Sequence, residues 1–173
     1  MELLIQNALV LDGLGNDPVL GSVGVENGKI VYPVPADATC ERVMDAKGLC
    51  LSPGWIDSHS HADNAVFKFP EQREKIEQGI TFSVSGQCGS SCVPVVKEGR
   101  LLTAGEFFKE KENAPLGANL ALQIGHNALR KAVMGTVNRL ATREELEQMK
   151  DLLRDGLENG AIGLSFGLIY IPG

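Results

Sequence analysis

Basic residues are in the minority in this chain. Sixteen Lys and Arg stand against 22 Asp and Glu, for a formal net charge of −6. A nucleic-acid binder needs a basic face to meet phosphates, so that class is excluded. The runs KEGR and FFKEKE are short and mixed in sign, and read as solvated surface. Long apolar runs are missing as well: none approaches the roughly 20 residues that span a bilayer. The opening MELLIQNALVLDG has neither a basic start nor a small-residue cleavage site, so no secretory leader is marked and a cytoplasmic chain is expected. Cysteine is sparse, at positions 40, 50, 88 and 92, too few and too scattered for a disulfide scaffold. CGSSC has three residues between its cysteines, unlike redox motifs and zinc ribbons, and no second pair completes a four-cysteine site. Histidine is scarcer still. The chain has three, and two of them, His59 and His61, fall in LSPGWIDSHSHAD (51–63).

What is present is ordinary globular material. Hydrophobic residues make up 43% and charged residues 22% of 173, enough to bury a real core. The first fifty residues read as about five short strands and no helix, in a small antiparallel sheet. Asn27-Gly28 between Val25 and Ile30 predicts a tight type I′ hairpin, whose two central residues need positive φ.

After Pro53 the pattern becomes strand, then helix, repeated. GWIDSHSH is the first strand and its end. PEQREKIEQG (70–79) predicts a short helix with Pro at its start and Gly79 as its cap. ITFSVSGQCG (80–89) is the second strand. Thr103 and Glu106 form a capping box that starts a helix at FFKEKE. NLALQIGHNAL (119–129) is the third strand. Thr142 and Glu145 form a second capping box, and Leu146, Met149, Leu153 and Leu157 then lie on one helical face. Gly156 inside that helix costs about 1 kcal/mol relative to Ala. AIGLSFGLIYI (161–171) is the fourth strand.

Strands separated by single helices imply parallel pairing with right-handed crossovers. The fold class is therefore α/β. Residues 53–173 are expected as the first four strands and three helices of a (β/α)8 barrel, and residues 1–52 as part of a small sheet domain. A full barrel takes about 250 residues. Because the sequence stops at Gly173 directly after a strand, an N-terminal fragment of a longer protein is expected. The rival expectation is a non-catalytic piece that covers its open sheet edges as a homo-oligomer.

Polar residues collect at the predicted strand ends, which line the active face of such a barrel. In an extended segment i and i+2 share a face, so both imidazoles can reach one metal ion. The alternative is a pair of solvated loop histidines. Asp57 and Asp63 continue the alternation as groups that orient the histidines, although Asp63 serves equally as a helix cap. Cys88, at the end of the second strand, is a further ligand or a small buried hydrophobe. His126, Ser165 and Tyr170, near the ends of the third and fourth strands, are candidate substrate contacts. Their alternative roles are a hydrogen-bonded structural histidine and packing or turn residues.

PGWIDSHSHAD resembles the first-strand signature of the amidohydrolase superfamily. With LLIQNALVLDGLG, QGITFSVSGQCGSSCVP (78–94), NLALQIGHNALRKAVMG (119–135) and ENGAIGLSFGLIYIPG (158–173), the chain resembles the D-aminoacylase, or N-acyl-D-amino-acid deacylase, family over nearly its whole length. The resemblance implies a zinc-dependent hydrolase acting on a small-molecule N-acyl-D-amino acid with one or two ions. It implies a barrel joined to a β-sandwich built from both termini. It makes His59, His61 and Cys88 metal ligands, the cysteine standing where many relatives carry a bridging carboxylated lysine. The family's other histidine ligands and its metal-bound aspartate lie on later strands. A cyclic amidase of the hydantoinase or dihydroorotase kind is the alternative. GLSFGLIYIPG, at the fourth strand, offers no lysine for such a bridge.

Overall fold

Asn27 and Gly28 take φ of 51° and 69°, the two positive values that a type I′ turn demands. In the computed structural model, which describes residues 1–66 and 68–173, they join β2 to β3 in the first of two compact units, Met1–Pro53 and Gly54–Gly173. The first unit holds β1 (Leu3–Val10), β2 (Val19–Glu26), β3 (Lys29–Val31), β4 (Arg42–Asp45) and β5 (Cys50–Leu51). The expected antiparallel sheet is a mixed one. β2 pairs antiparallel with β1 and β3, but β4 and β5 both run parallel to β1. The sheet register slips between Ile5 and Ala8. There Asn7 takes φ of 57°, and its amide donates to Asp45 at 3.0 Å.

The second unit contains β6 (Trp55–Asp57), α1 (Arg73–Ile76), β7 (Ile80–Ser85), β8 (Val95–Lys97), β9 (Arg100–Leu102), α2 (Ala104–Lys111), β10 (Asn119–Gly125), α3 (His126–Met134), α4 (Arg143–Glu158) and β11 (Gly163–Ser165). β6, β7, β10 and β11 form one sheet in that spatial order, every pair parallel. This is an α/β unit whose strands follow the sequence across the sheet. Both predicted capping boxes are formed, at Thr103 with Glu106 and at Thr142 with Glu145.

Several boundaries differ from expectation, each for a local reason. β6 stops at Asp57, so neither histidine lies in it. Its Trp55 and Ile56 are each 65% exposed, unlike the strand covered on both faces that the apolar pattern predicts. α1 begins three residues after Pro70, behind Gln72 in a left-handed conformation. The third strand ends at Gly125, and the remainder of NLALQIGHNAL is the first turn of an extra helix, α3. The fourth strand is three residues long, and 166–171 leaves it as turns. KEGR is exposed throughout, as expected of solvated surface, and its Glu98 and Gly99 form the positive-φ corner of the β8–β9 hairpin.

The core of the second unit lies between the sheet and its helices. Val93, Phe107, Leu122, Ile124, Leu129 and Met149 are buried together. Gly156 of α4 explains itself there. A Cβ at that position would lie 2.8 Å from Ile124 Cγ1 and 2.9 Å from its Cδ1, and Ile124 is fully buried. Overpacking costs about 1–3 kcal/mol, against about 1 kcal/mol of helix propensity gained. Gly156→Ala is therefore expected to destabilise the protein by about 1 kcal/mol, where propensity alone predicts a gain. Urea denaturation decides the sign.

Candidate metal centre

His59 and His61 sit in the irregular segment after β6. The segment has its own supports. The His59 amide donates to Asp57 Oδ1 at 3.2 Å, the Ser60 amide to the Val84 carbonyl at 3.0 Å, and the Ala62 amide to Ser60 Oγ at 3.1 Å. The two rings stand edge to face, with centroids 6.1 Å apart and planes at 79°. The shared side of the histidines comes from this turn and not from strand alternation, which corrects the reason expected for it.

Cys88 arrives from the loop after β7. Gly86, Cys88 and Gly89 all have positive φ, with Cys88 at 55°, so the chain reverses tightly and lifts the thiol. Its Sγ lies 3.3 Å from His59 Nε2. Ligand atoms of His59, His61 and Cys88 all fall within 4.8 Å of one another, on partly or fully exposed residues. Two donors on one tetrahedral zinc are about 3.3–3.7 Å apart, given bonds of about 2.0–2.3 Å. Two imidazoles and a thiol at this spacing match a borderline-soft divalent ion, so the residues fit the group expected of them.

The carboxylates near the histidines have specific jobs. Asp57 ion-pairs with Lys75, whose Nζ also donates to Ser60 Oγ at 3.2 Å. The lysine, more than any other group, holds the Asp57 carboxyl below its ordinary range. Asp57 thus orients the backbone of His59, not its ring. Asp63 is fully buried in a 3-10 turn, 62–64, and accepts from the Cys92 amide at 2.7 Å. Burial raises its pKa, and this amide opposes the rise. It caps no helix. Burial, reinforced by Asp63, pushes the Cys92 thiol well up, and Cys92 is not among the residues whose donor atoms converge with the histidines. All four cysteines are free.

The three residues expected at the substrate lie outside the cluster. His126 begins α3; its Nδ1 is 3.3 Å from Asn127 Oδ1 and its ring packs on Phe166 with centroids 5.3 Å apart. Tyr170 is 56% exposed and its carbonyl accepts from Asn127 at 3.3 Å. Ser165 is buried, and its hydroxyl bonds two backbone groups of the Cys88 loop. Two supports escaped the sequence reading. Gln87 Nε2 donates to the Ser58 carbonyl at 3.1 Å, tying together the two segments that bear the candidate ligands. Asn127 is buried, and its amide N–H donates to the Gly89 carbonyl at 2.8 Å. The position of Gln87 beside Cys88 was the one available signal for the first; nothing local marked the second.

A model of the amidohydrolase family matches residues 42–170, a span that includes every donor of the cluster. The chain belongs to the amidohydrolase family. This amidohydrolase chain is 35% identical to N-acyl-D-aspartate deacylase of Alcaligenes xylosoxydans xylosoxydans, over 99% of its own length and 37% of the relative's. It superposes with a TM-score of 0.90 on a crystal structure of N-acyl-D-glutamate deacylase from Bordetella bronchiseptica, solved with zinc and a phosphonate mimic of the tetrahedral intermediate. That match is 31% identical and covers 99% of this chain and 39% of the other. A structure of D-aminoacylase, described with a binuclear metal centre, gives 0.90 at 34% identity, covering 98% of this chain and 39% of that one. The chain thus spans about two fifths of the relatives it matches. Among the described residues no helix is long and apolar enough to cross a membrane.

Proposed function

We propose that the protein carrying this sequence hydrolyses the amide bond of N-acyl-D-amino acids, using zinc held in part by His59, His61 and Cys88. The observation that carries this is the convergence of two imidazoles and a thiol within 4.8 Å from two separate loops. The likeness to deacylases over nearly the whole chain supports the substrate class. Residues 53–173 are then the first four strands of a (β/α)8 barrel, a reading supported by four parallel strands in sequence order. Residues 1–52 contribute to a β-sandwich. His126 and Tyr170 are proposed to face the substrate.

A divalent ion held by His59, His61 and Cys88 would supply a water of pKa lowered toward about 7 and a Lewis acid for an amide carbonyl. The chain's own residues hold and orient. His59 and His61 donate ring nitrogens, and Cys88 binds as thiolate. The Asp57–Lys75 pair and Ser60 fix the histidine turn. In the reaction the amide C–N bond breaks, hydroxide adds to the acyl carbon, and a proton passes to the departing amine. Asp57 is committed to Lys75 and Asp63 to the Cys92 amide, so neither is assigned that proton transfer. The relaying carboxylate is proposed on a later strand, beyond these 173 residues.

The full-length protein is expected to cleave N-acetyl-D-amino acids and to leave their L-enantiomers intact. Dialysis against a chelator removes the activity and stoichiometric zinc returns it. Full turnover in the metal-stripped protein would sink the proposal.

A further inference from the structure

Ser165 stands on β11, two strands from β7, yet it acts on the loop that β7 feeds. Its Oγ accepts from the Gly89 amide at 3.0 Å and donates to the Gly86 carbonyl. One hydroxyl therefore spans the loop, with Gln87 and Cys88 between its two contacts. Serine is suited to this because a single oxygen is both donor and acceptor. Ser165 is only 8% exposed, so neither bond competes with bulk water.

The surroundings are built to bring the strand and loop this close. A Cβ on Gly167 would collide with the Cys88 carbonyl, and one on Gly125 with the Gly89 carbonyl. The outer flank of the loop is held by other groups: Gln87 donates to Ser58, and the Gly89 carbonyl accepts from Asn127. Cys88 itself has a φ of 55°, a conformation a non-glycine residue keeps only where neighbours enforce it.

We propose that Ser165 is a positioning residue for Cys88, bridging Gly86 and Gly89 so that the thiolate is presented to the His59 side of the metal site. The proposal rests on the reading of Cys88 as a metal ligand. It gives β11 a role in the site without contact to metal or substrate.

Cobalt(II) titration of the metal-stripped full-length protein tests it, because cobalt bound to a thiolate shows a charge-transfer band in the near ultraviolet. Ser165→Ala is expected to weaken cobalt binding by about tenfold to a hundredfold, the range seen for groups that orient ligands, and to diminish the band. Ser165→Thr keeps the hydroxyl and is expected to retain it. Ser83→Ala serves as control, since Ser83 is fully buried on β7 and its hydroxyl has no hydrogen bond among the described residues. Cobalt affinity and band in Ser165→Ala equal to those of Ser83→Ala would overturn the proposal. So would loss of the circular-dichroism signal in Ser165→Ala, because the hydroxyl would then hold the fold and not the loop. A band unchanged in Cys88→Ala would instead overturn the ligand reading on which this rests. A band lost in Cys88→Ala but intact in Ser165→Ala would overturn the positioning role alone.

Discussion

Cys88→Ala is expected to lower kcat/KM for N-acetyl-D-amino acids by at least about a hundredfold while the protein stays folded. A hundredfold is the upper end of what the loss of a group behind a ligand costs, and here a ligand itself is removed. The remaining donors of the cluster are two imidazoles on one short turn, which do not close a site of three or four ligands. The fold is expected to tolerate the change. Cys88 is only partly buried, and alanine suffers the same left-handed backbone at φ 55° that cysteine already bears. Cys88→Ser makes the complementary case: it keeps the shape but offers a hydroxyl that does not ionise at neutral pH, and it is expected to be as impaired. Zinc stoichiometry, kcat/KM and thermal melting together separate the outcomes. Near-normal turnover with full zinc occupancy in Cys88→Ala would show that the thiol near His59 is not a ligand.

The candidate site was legible in sequence because its signals are local and rare. Two of three histidines stand two apart, and Cys88 follows the next apolar run, so the donor set can be picked out without knowing the turn that assembles it. That turn was not legible. It depends on Ser60 pairing with Val84 and on Lys75 reaching Asp57, contacts 15 or more residues distant. The capping boxes at Thr103 and Thr142 were legible because a cap is contained within four residues. α3 was not, for the converse reason: Gly125 precedes it and supplies no side-chain cap, so strand and helix merge into one apolar run. The segment after β11 misled in another way. Leu168 and Ile169 have the composition of a strand, yet they are 71% and 88% exposed and pair with no strand among the described residues. A strand requires a neighbour as well as β-branched or apolar residues. Ser165 and Asn127 work through backbone groups about 40 to 80 residues away, and no sequence pattern marks such a contact.

Gly86→Ala is expected to destabilise the protein by at least about 3 kcal/mol, and to do so for two separable reasons. Gly86 has a φ of 77°, where a side chain costs roughly 1–2 kcal/mol. Its Cβ would also run into the backbone of Gln123 on β10. Backbone in a paired strand yields less readily than a side-chain end, so the overpacking cost belongs in the upper part of the usual range of about 1–3 kcal/mol. Gly99, in the β8–β9 corner, isolates the first cost. It has a φ of 78° with open space around its Cβ direction, and Gly99→Ala is expected to lose only about 1–2 kcal/mol. In a chain of this size each kcal/mol lowers Tm by about 2–4 °C, so Gly86→Ala should melt at least about 6–12 °C below wild type and Gly99→Ala about 2–8 °C below. The two differ in function as well. Gly86 opens the loop that bears Cys88, and its displacement from β10 carries the thiol with it. Zinc affinity should therefore fall in Gly86→Ala and hold in Gly99→Ala. Equal melting shifts in the two variants would mean that the Gln123 backbone yields. Equal zinc affinity would mean that the Cys88 loop is set independently of its approach to β10.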